Sequence, residues 1–203
     1  MGFTTDFIGH IDVAPSLNGE EIAYLTAFSQ SRRCRRPGGP YDVPGNPMAE
    51  TSEGFDDSYN WAADGQPGLW CNWVPCWEGC CLAFNGNEKF YSAVPWLRYL
   101  VTHFLRPGAR ASRSGDERFA GFTFDHHLDG MIVGCRRDDK ELFAVTVSDN
   151  RIREKILRPA DPRYVDRPPL PYEEAIDRQE DWRPARRRRR RAADVIPLSR
   201  GSR

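Results

Sequence analysis

Phe7-Ile8-Gly9-His10-Ile11-Asp12-Val13-Ala14-Pro15-Ser16-Leu17-Asn18-Gly19-Glu20-Glu21-Ile22 passes from an alternating pattern to the grammar of a helix start within a few residues. Phe7, Ile11 and Val13 fall on one face of an extended chain, which predicts a strand over 7–13, ended by Pro15. Asn18 then reads as an N-cap, with Glu21 completing a capping box and Leu17 set against Ile22 as a hydrophobic staple. Ile22, Leu25 and Phe28 supply the stripe that this helix would bury.

Working outward from that β-α unit, Leu69-Trp70-Cys71-Asn72-Trp73-Val74 predicts a strand, Pro75–Gly79 a turn, and Cys81-Leu82-Ala83-Phe84 the strand that returns. Ser92 is placed to cap a second helix, with Pro95 tolerated in its first turn. Trp96, Leu97, Leu100, Val101 and Phe104 recur at helical spacing, and Pro107-Gly108 ends the run. A polar loop leads to a meander of three or four strands over 119–124, 131–135, 142–147 and 151–157, the last two joined at Ser148-Asp149-Asn150. The expected fold is α+β, a two-layer sandwich in the order β-α-β-β-α-β-β-β. Both helices would lie on one face of an antiparallel-rich sheet.

From Arg158 onward the composition changes. Pro159, Pro162, Pro168, Pro169 and Pro171 precede an unbroken run of arginines. Few side chains there offset the entropy of ordering the backbone, so residues 1–157 are expected as a single domain and 158–203 as a disordered tail. The net charge of zero conceals an asymmetry: the tail holds 13 arginines against 8 acidic residues, about +5, which leaves about −5 for the domain. The N-terminus lacks the basic and apolar stretches of a secretory leader, Asp6 stands where a myristoylation signal needs Ser or Thr, and no apolar run reaches the ~20 residues of a membrane span. A cytoplasmic protein with no membrane partner is the expectation.

Residues 31–67 show no sustained periodicity and are punctuated by Gly38-Gly39-Pro40, Pro44-Gly45-Asn46-Pro47 and Gly65-Gln66-Pro67. Loops of this length in compact domains are usually functional or disordered. With Arg32, Arg33, Arg35 and Arg36 at its start and Trp61 near its end, it is the first candidate for a binding surface, joined by Trp77 in the hairpin turn. Of the neighbouring Trp70 and Trp73, strand alternation puts at least one in the core.

Six cysteines are present, four of them as Cys71, Cys76, Cys80 and Cys81. Thiolates near a tight turn can converge on Zn²⁺ at about 2.3 Å each, so these four are the candidate metal ligands. The spacing is unlike a paired CxxC…CxxC, no histidine lies close in sequence, and Cys80 and Cys81 would point to opposite faces of an extended strand. The favoured reading is therefore free thiols filling positions beside tryptophans, with structural zinc as the alternative and a redox pair as a third. No other cofactor is implied.

Asp125-His126-His127-Leu128-Asp129-Gly130 offers histidine beside carboxylate, the chemistry of a hydrolase or transferase, but Asp and Gly are also ordinary residues for a turn between strands. No nucleophile elbow, phosphate-cradling glycine loop or metalloprotease helix is present, which leaves no catalytic residues to nominate. Arg186, Arg187, Arg188, Arg189, Arg190 and Arg191 form a candidate phosphate-binding arm, whose contact with nucleic acid would be non-specific and steeply salt-dependent. The competing reading is a solvated tail, with Glu173, Glu174, Asp177, Glu180 and Asp181 as intramolecular partners.

Pro67-Gly68-Leu69-Trp70-Cys71-Asn72-Trp73-Val74-Pro75, Glu88-Lys89-Phe90-Tyr91 and Trp96-Leu97-Arg98-Tyr99-Leu100 together resemble a family of small proteins of actinobacteria and tailed bacteriophages. The likeness runs from the first strand through Tyr24-Leu25 and Arg32-Arg33 to Asp149-Asn150, and it omits the tail. That family has no established activity, so the resemblance implies a fold and a phage or mobile-element origin but no catalytic residues. Related sequences often lack Cys76, Cys80 and Cys81, which would make a zinc site a local elaboration. The leading expectation is a non-enzymatic binding or regulatory protein with an unknown protein partner. A nucleic-acid-associated protein using the arginine run is the alternative, and a His/carboxylate hydrolase or transferase a further one.

Overall fold

The structure, a computed structural model, describes residues 3–47, 50–51, 57–87 and 89–161. Six strands form one antiparallel sheet in the order β2-β3-β1-β4-β5-β6: β1 Thr5–Ala14, β2 Trp73–Pro75, β3 Cys81–Phe84, β4 His127–Arg136, β5 Leu142–Ser148 and β6 Arg151–Arg158. Two helices, α1 Gly19–Gln30 and α2 Ala93–Leu100, share one core with the sheet, and a π-turn over Val101–Leu105 continues α2. The element order is β-α-β-β-α-β-β-β, an α+β fold as expected.

β1 is interior, pairing with β3 on one edge and β4 on the other, and its two faces differ. Ile11 and Val13 are buried with Leu128 and Ile132 of β4 and Val145 and Val147 of β5, beneath Leu25 and Phe28 of α1 and Trp96, Leu97 and Leu100 of α2. On the other face Ile8 and Met131 are open to solvent, so among the described residues the sheet is covered on one side only. Gly134 of β4 lies under the Phe143 ring, where a Cβ would collide with it. The β6 edge carries exposed Arg151, Arg153, Glu154 and Lys155, charges that discourage pairing with another chain's strand. Among the described residues no helix is long and apolar enough to cross a membrane.

Three local expectations are corrected. The strand expected over 69–74 is confined to Trp73–Pro75, because Leu69 spends its carbonyl on the Arg33 N–H of the long loop (2.8 Å) and not on the sheet. The strand expected over 119–124 is absent. Residues Glu117–Phe119 form a 3-10 turn, and side chains at the start of α1 take up the backbone that follows. Asn18 Nδ2 donates to the Gly121 carbonyl (2.8 Å) and Glu21 Oε1 accepts from the Thr123 N–H (2.8 Å). Phe119 and Phe122 are buried all the same, edge-on to Tyr24 of α1. Finally, Ser92 makes no side-chain cap at α2.

At α1 the capping box forms as read, with the Asn18 side chain accepting from the Glu20 and Glu21 N–H groups and Glu21 Oε2 accepting from the Asn18 N–H (2.8 Å). The buried stripe, however, contains Glu21, Leu25, Phe28 and Ser29, with Ile22 only partly covered. Glu21 is 1% exposed and meets the equally buried His126, whose Nε2 lies 3.1 Å from Oε1. The second ring nitrogen, Nδ1, donates to the Pro15 carbonyl (2.7 Å). Burial alone would raise the Glu21 pKa. The Asn18 and Thr123 N–H groups and His126 outweigh it and hold the carboxyl below its usual range.

Removing one member of a buried, hydrogen-bonded pair leaves the other uncompensated. Glu21→Ala is therefore expected to cost about 3 kcal/mol or more in urea unfolding, whereas Glu20→Ala, an exposed neighbour, changes stability by less than about 0.5 kcal/mol. Equal losses from the two would remove the Glu21–His126 pair from its anchoring role.

Candidate functional site

The long loop after α1 is held by arginines pointing inward. Arg33 is 1% exposed: its guanidinium lies 3.9 Å from the centre of the Phe28 ring and donates to Ser31 Oγ (2.7 Å) and to the Asp42 (3.0 Å) and Pro40 (2.7 Å) carbonyls. Arg36 is also buried, donating to Glu50 Oε2 (2.6 Å) and to the Arg32 carbonyl (2.8 Å). Both were expected on the binding surface. They are instead interior pins, because a fork of N–H donors is well suited to collecting the carbonyls of a loop that has no ladder partners. Backbone contacts close the loop at its base, where Cys34 bridges to Ala62 and the Ala63 N–H donates to the Arg33 carbonyl (3.0 Å).

Arg32, Arg35 and Trp61 do reach the surface, Arg32 only in part. Trp61 is 73% exposed, and the indole of Trp70, a residue that strand alternation left undecided, is 43% exposed, while Trp73 is core, donating to the Ala93 carbonyl (2.7 Å). Arg32 stands over the rings of Tyr59 (4.5 Å) and Trp70 (5.5 Å), fixed by the Tyr59 carbonyl (2.6 Å) and Asn60 Oδ1 (3.1 Å). Beside Trp61 lies a cavity of about 350 Å³ lined by Arg35, Arg36, Pro40, Ser58 and Ala62 among others. A second, of about 340 Å³, is lined by Leu69, Trp70, Tyr91, Ser92 and Trp96. The buried Trp96 indole N–H has no acceptor among the described residues. An arginine–aromatic surface was legible in the sequence on condition that the loop fold back, and the Cys34–Ala62 bridge brings its two ends together; the cavities themselves were not legible.

The cysteines divide differently from the expected set. Cys71 is fully buried, its thiol pushed up to about 12 chiefly by that burial, and it is not one of the convergent group. Cys76, Cys80 and Cys81 are, with all three Sγ atoms within 4.8 Å of one another and Cys76 and Cys80 3.5 Å apart. The hairpin is closed by the Cys76 N–H on the Cys81 carbonyl (2.9 Å) and the Gly79 N–H on the Cys76 carbonyl (3.0 Å). Gly79 has φ +72°, and a Cβ there would run into the Leu17 carbonyl, so glycine alone fits. β3 begins at Cys81, so Cys80 still belongs to the turn, and the divergence expected of neighbours in a strand does not apply. Burial would raise the Cys76 thiol, but hydrogen bonds from the Cys81 and Cys80 thiols pull it down to about 7, while Cys81 is pushed up to about 12 by its own burial and by its hydrogen bond to Cys76. Trp77, at the tip of this turn, is 86% exposed.

The two histidines do not converge. His126 is buried in the Glu21 network, and His127 is exposed on the first residue of β4, 2.7 Å from Asp149 Oδ1. The Asp125–Gly130 segment is thus the start of a strand, not a turn between two. The six arginines from Arg186 to Arg191 lie outside the described residues.

The loop is fastened to the π-turn after α2 at a titratable contact. His103 stacks on Tyr99 with ring centres 3.8 Å apart and its Nδ1 accepts from the Tyr41 hydroxyl (2.8 Å). Burial, aided by the nearby Arg110 charge, pulls the imidazole down to about 4, whereas an unfolded histidine titrates near 6.5. A group whose folded value is depressed contributes stability above its unfolded value and loses it as pH falls toward the folded one. The stability lead of the wild type over His103→Gln is expected to be full at pH 7.5 and to shrink between about pH 6.5 and 4, measured by urea unfolding at each pH. A constant lead would show that the contact does not titrate in this window. Comparison of the chain with protein-family models, with curated proteins and with solved structures found no match.

Proposed function

We propose that this chain is a non-enzymatic binding or regulatory protein that grips a segment of a protein partner on the face formed by its long loop. The observation that carries this reading is the investment of two buried arginines, Arg33 and Arg36, in holding an irregular segment still while Trp61 stays 73% exposed on it. A preorganised loop loses little conformational freedom on binding, which is where much of the cost of association lies. Tryptophan, tyrosine and arginine are the residues on which binding energy concentrates, and Arg32, Tyr59, Trp61 and Trp70 place all three types on one loop system with Arg35 exposed nearby. The likeness to actinobacterial and tailed-phage proteins without an activity agrees with an accessory role of phage or mobile-element origin.

The test is affinity capture from a lysate of the native host, with the wild type and with Trp61→Ala as paired baits, followed by titration of the recovered partner. Loss of a hot-spot tryptophan is expected to weaken the partner's Kd by about 30-fold or more at unchanged thermal stability. Equal affinity of both baits, or recovery of nucleic acid alone, would overturn the reading.

A further inference from the structure

We propose that Cys76, Cys80 and Cys81 bind one Zn²⁺ ion through three thiolates, leaving a fourth coordination position open to solvent. The geometry supplies the argument. Tetrahedral zinc with Zn–S bonds of about 2.3 Å sets sulfur–sulfur edges of about 3.8 Å. The three Sγ atoms lie within 4.8 Å of one another and one edge is already 3.5 Å, so small rotations of the thiols bring them onto one ion. Each coordinating thiol gives its proton to solvent and no oxidant is needed. Coordination also gives the three sulfurs, otherwise linked only by weak thiol hydrogen bonds, a common partner.

The turn is built to keep this arrangement. Its backbone is closed by the Cys76–Cys81 and Gly79–Cys76 hydrogen bonds, and it is seated on the chain before α1 by the Leu17 N–H on the Gly79 carbonyl (3.0 Å) and the Val13 N–H on the Cys80 carbonyl (2.8 Å). No fourth histidine, cysteine or carboxylate joins the group among the described residues. Cys80 is exposed and Cys76 and Cys81 are part-covered, so the open position faces water. Sites with three protein ligands and one free position are those at which zinc takes an exogenous ligand. Cys71, fully buried on the inner side of the sheet, takes no part.

The experiment is titration of the reduced full chain with Zn²⁺ alone, in competition with a chromophoric chelator under anaerobic conditions, with Co²⁺ as a spectroscopic stand-in. One ion per chain is expected, with a sulfur-to-cobalt charge-transfer band. Cys76→Ser and Cys81→Ser are each expected to weaken binding by more than about 100-fold, beyond what loss of a hydrogen-bonding partner behind a ligand costs. Cys71→Ala leaves binding unchanged. Should that core variant fail to fold, Cys135→Ser provides the same control. Zinc held no more tightly than by the Cys76/Cys80/Cys81 triple serine variant would overturn the proposal, as would one ion shared between two chains or loss of binding in both controls.

Discussion

The buried Glu21 carboxylate is the point on which separate parts of this fold converge. It accepts the Asn18 N–H at the helix start, the Thr123 N–H from the segment before β4, and a contact from His126, which in turn holds the Pro15 carbonyl at the end of β1. One side chain thus ties two stretches about a hundred residues apart, 15–21 and 123–126, and satisfies polar groups from both that could not be buried without a partner. The capping box, ordinarily a local device worth about 1 kcal/mol, has here become a tertiary joint.

A second interior charge plays the parallel role for the long loop. Arg33, seated on Phe28, gathers carbonyls that would otherwise need a sheet or water. The aromatic layer around it, with Tyr24, Tyr41, Tyr99 and Phe104 packed mostly edge to face, gives the loop a floor. Side chains above that floor are held in place by what lies beneath. The start of the long loop, around Arg33 and Tyr41, is therefore an extension of the core, not an appendage to it.

The fold class was legible because period-two and period-3.6 patterns are local, and the Asn18–Glu21 box was legible because both partners lie within one helical turn. What escaped was set by contacts distant in sequence. Residues 119–124, rich in phenylalanine, read as a strand, yet Asn18 and Glu21 claim their backbone. Arg33 reads as a surface cation until Phe28 and the Pro40 and Asp42 carbonyls surround it. At the cysteine hairpin the right stretch was visible but not its membership. That Cys71 is turned inward and Cys80 remains in the turn depends on where β2 and β3 begin, and the long loop's claim on Leu69 bears on the first of these.

The absence of a side chain at Gly79 has a mechanical consequence. With that backbone pressed against Leu17, the tip of the hairpin has no slack on its inner side. A tightening of the turn has to push on the residue directly preceding the cap of α1. The tip that displays Trp77 is therefore seated directly against the residue before the α1 cap, and any side chain added at Gly79 would have to displace it.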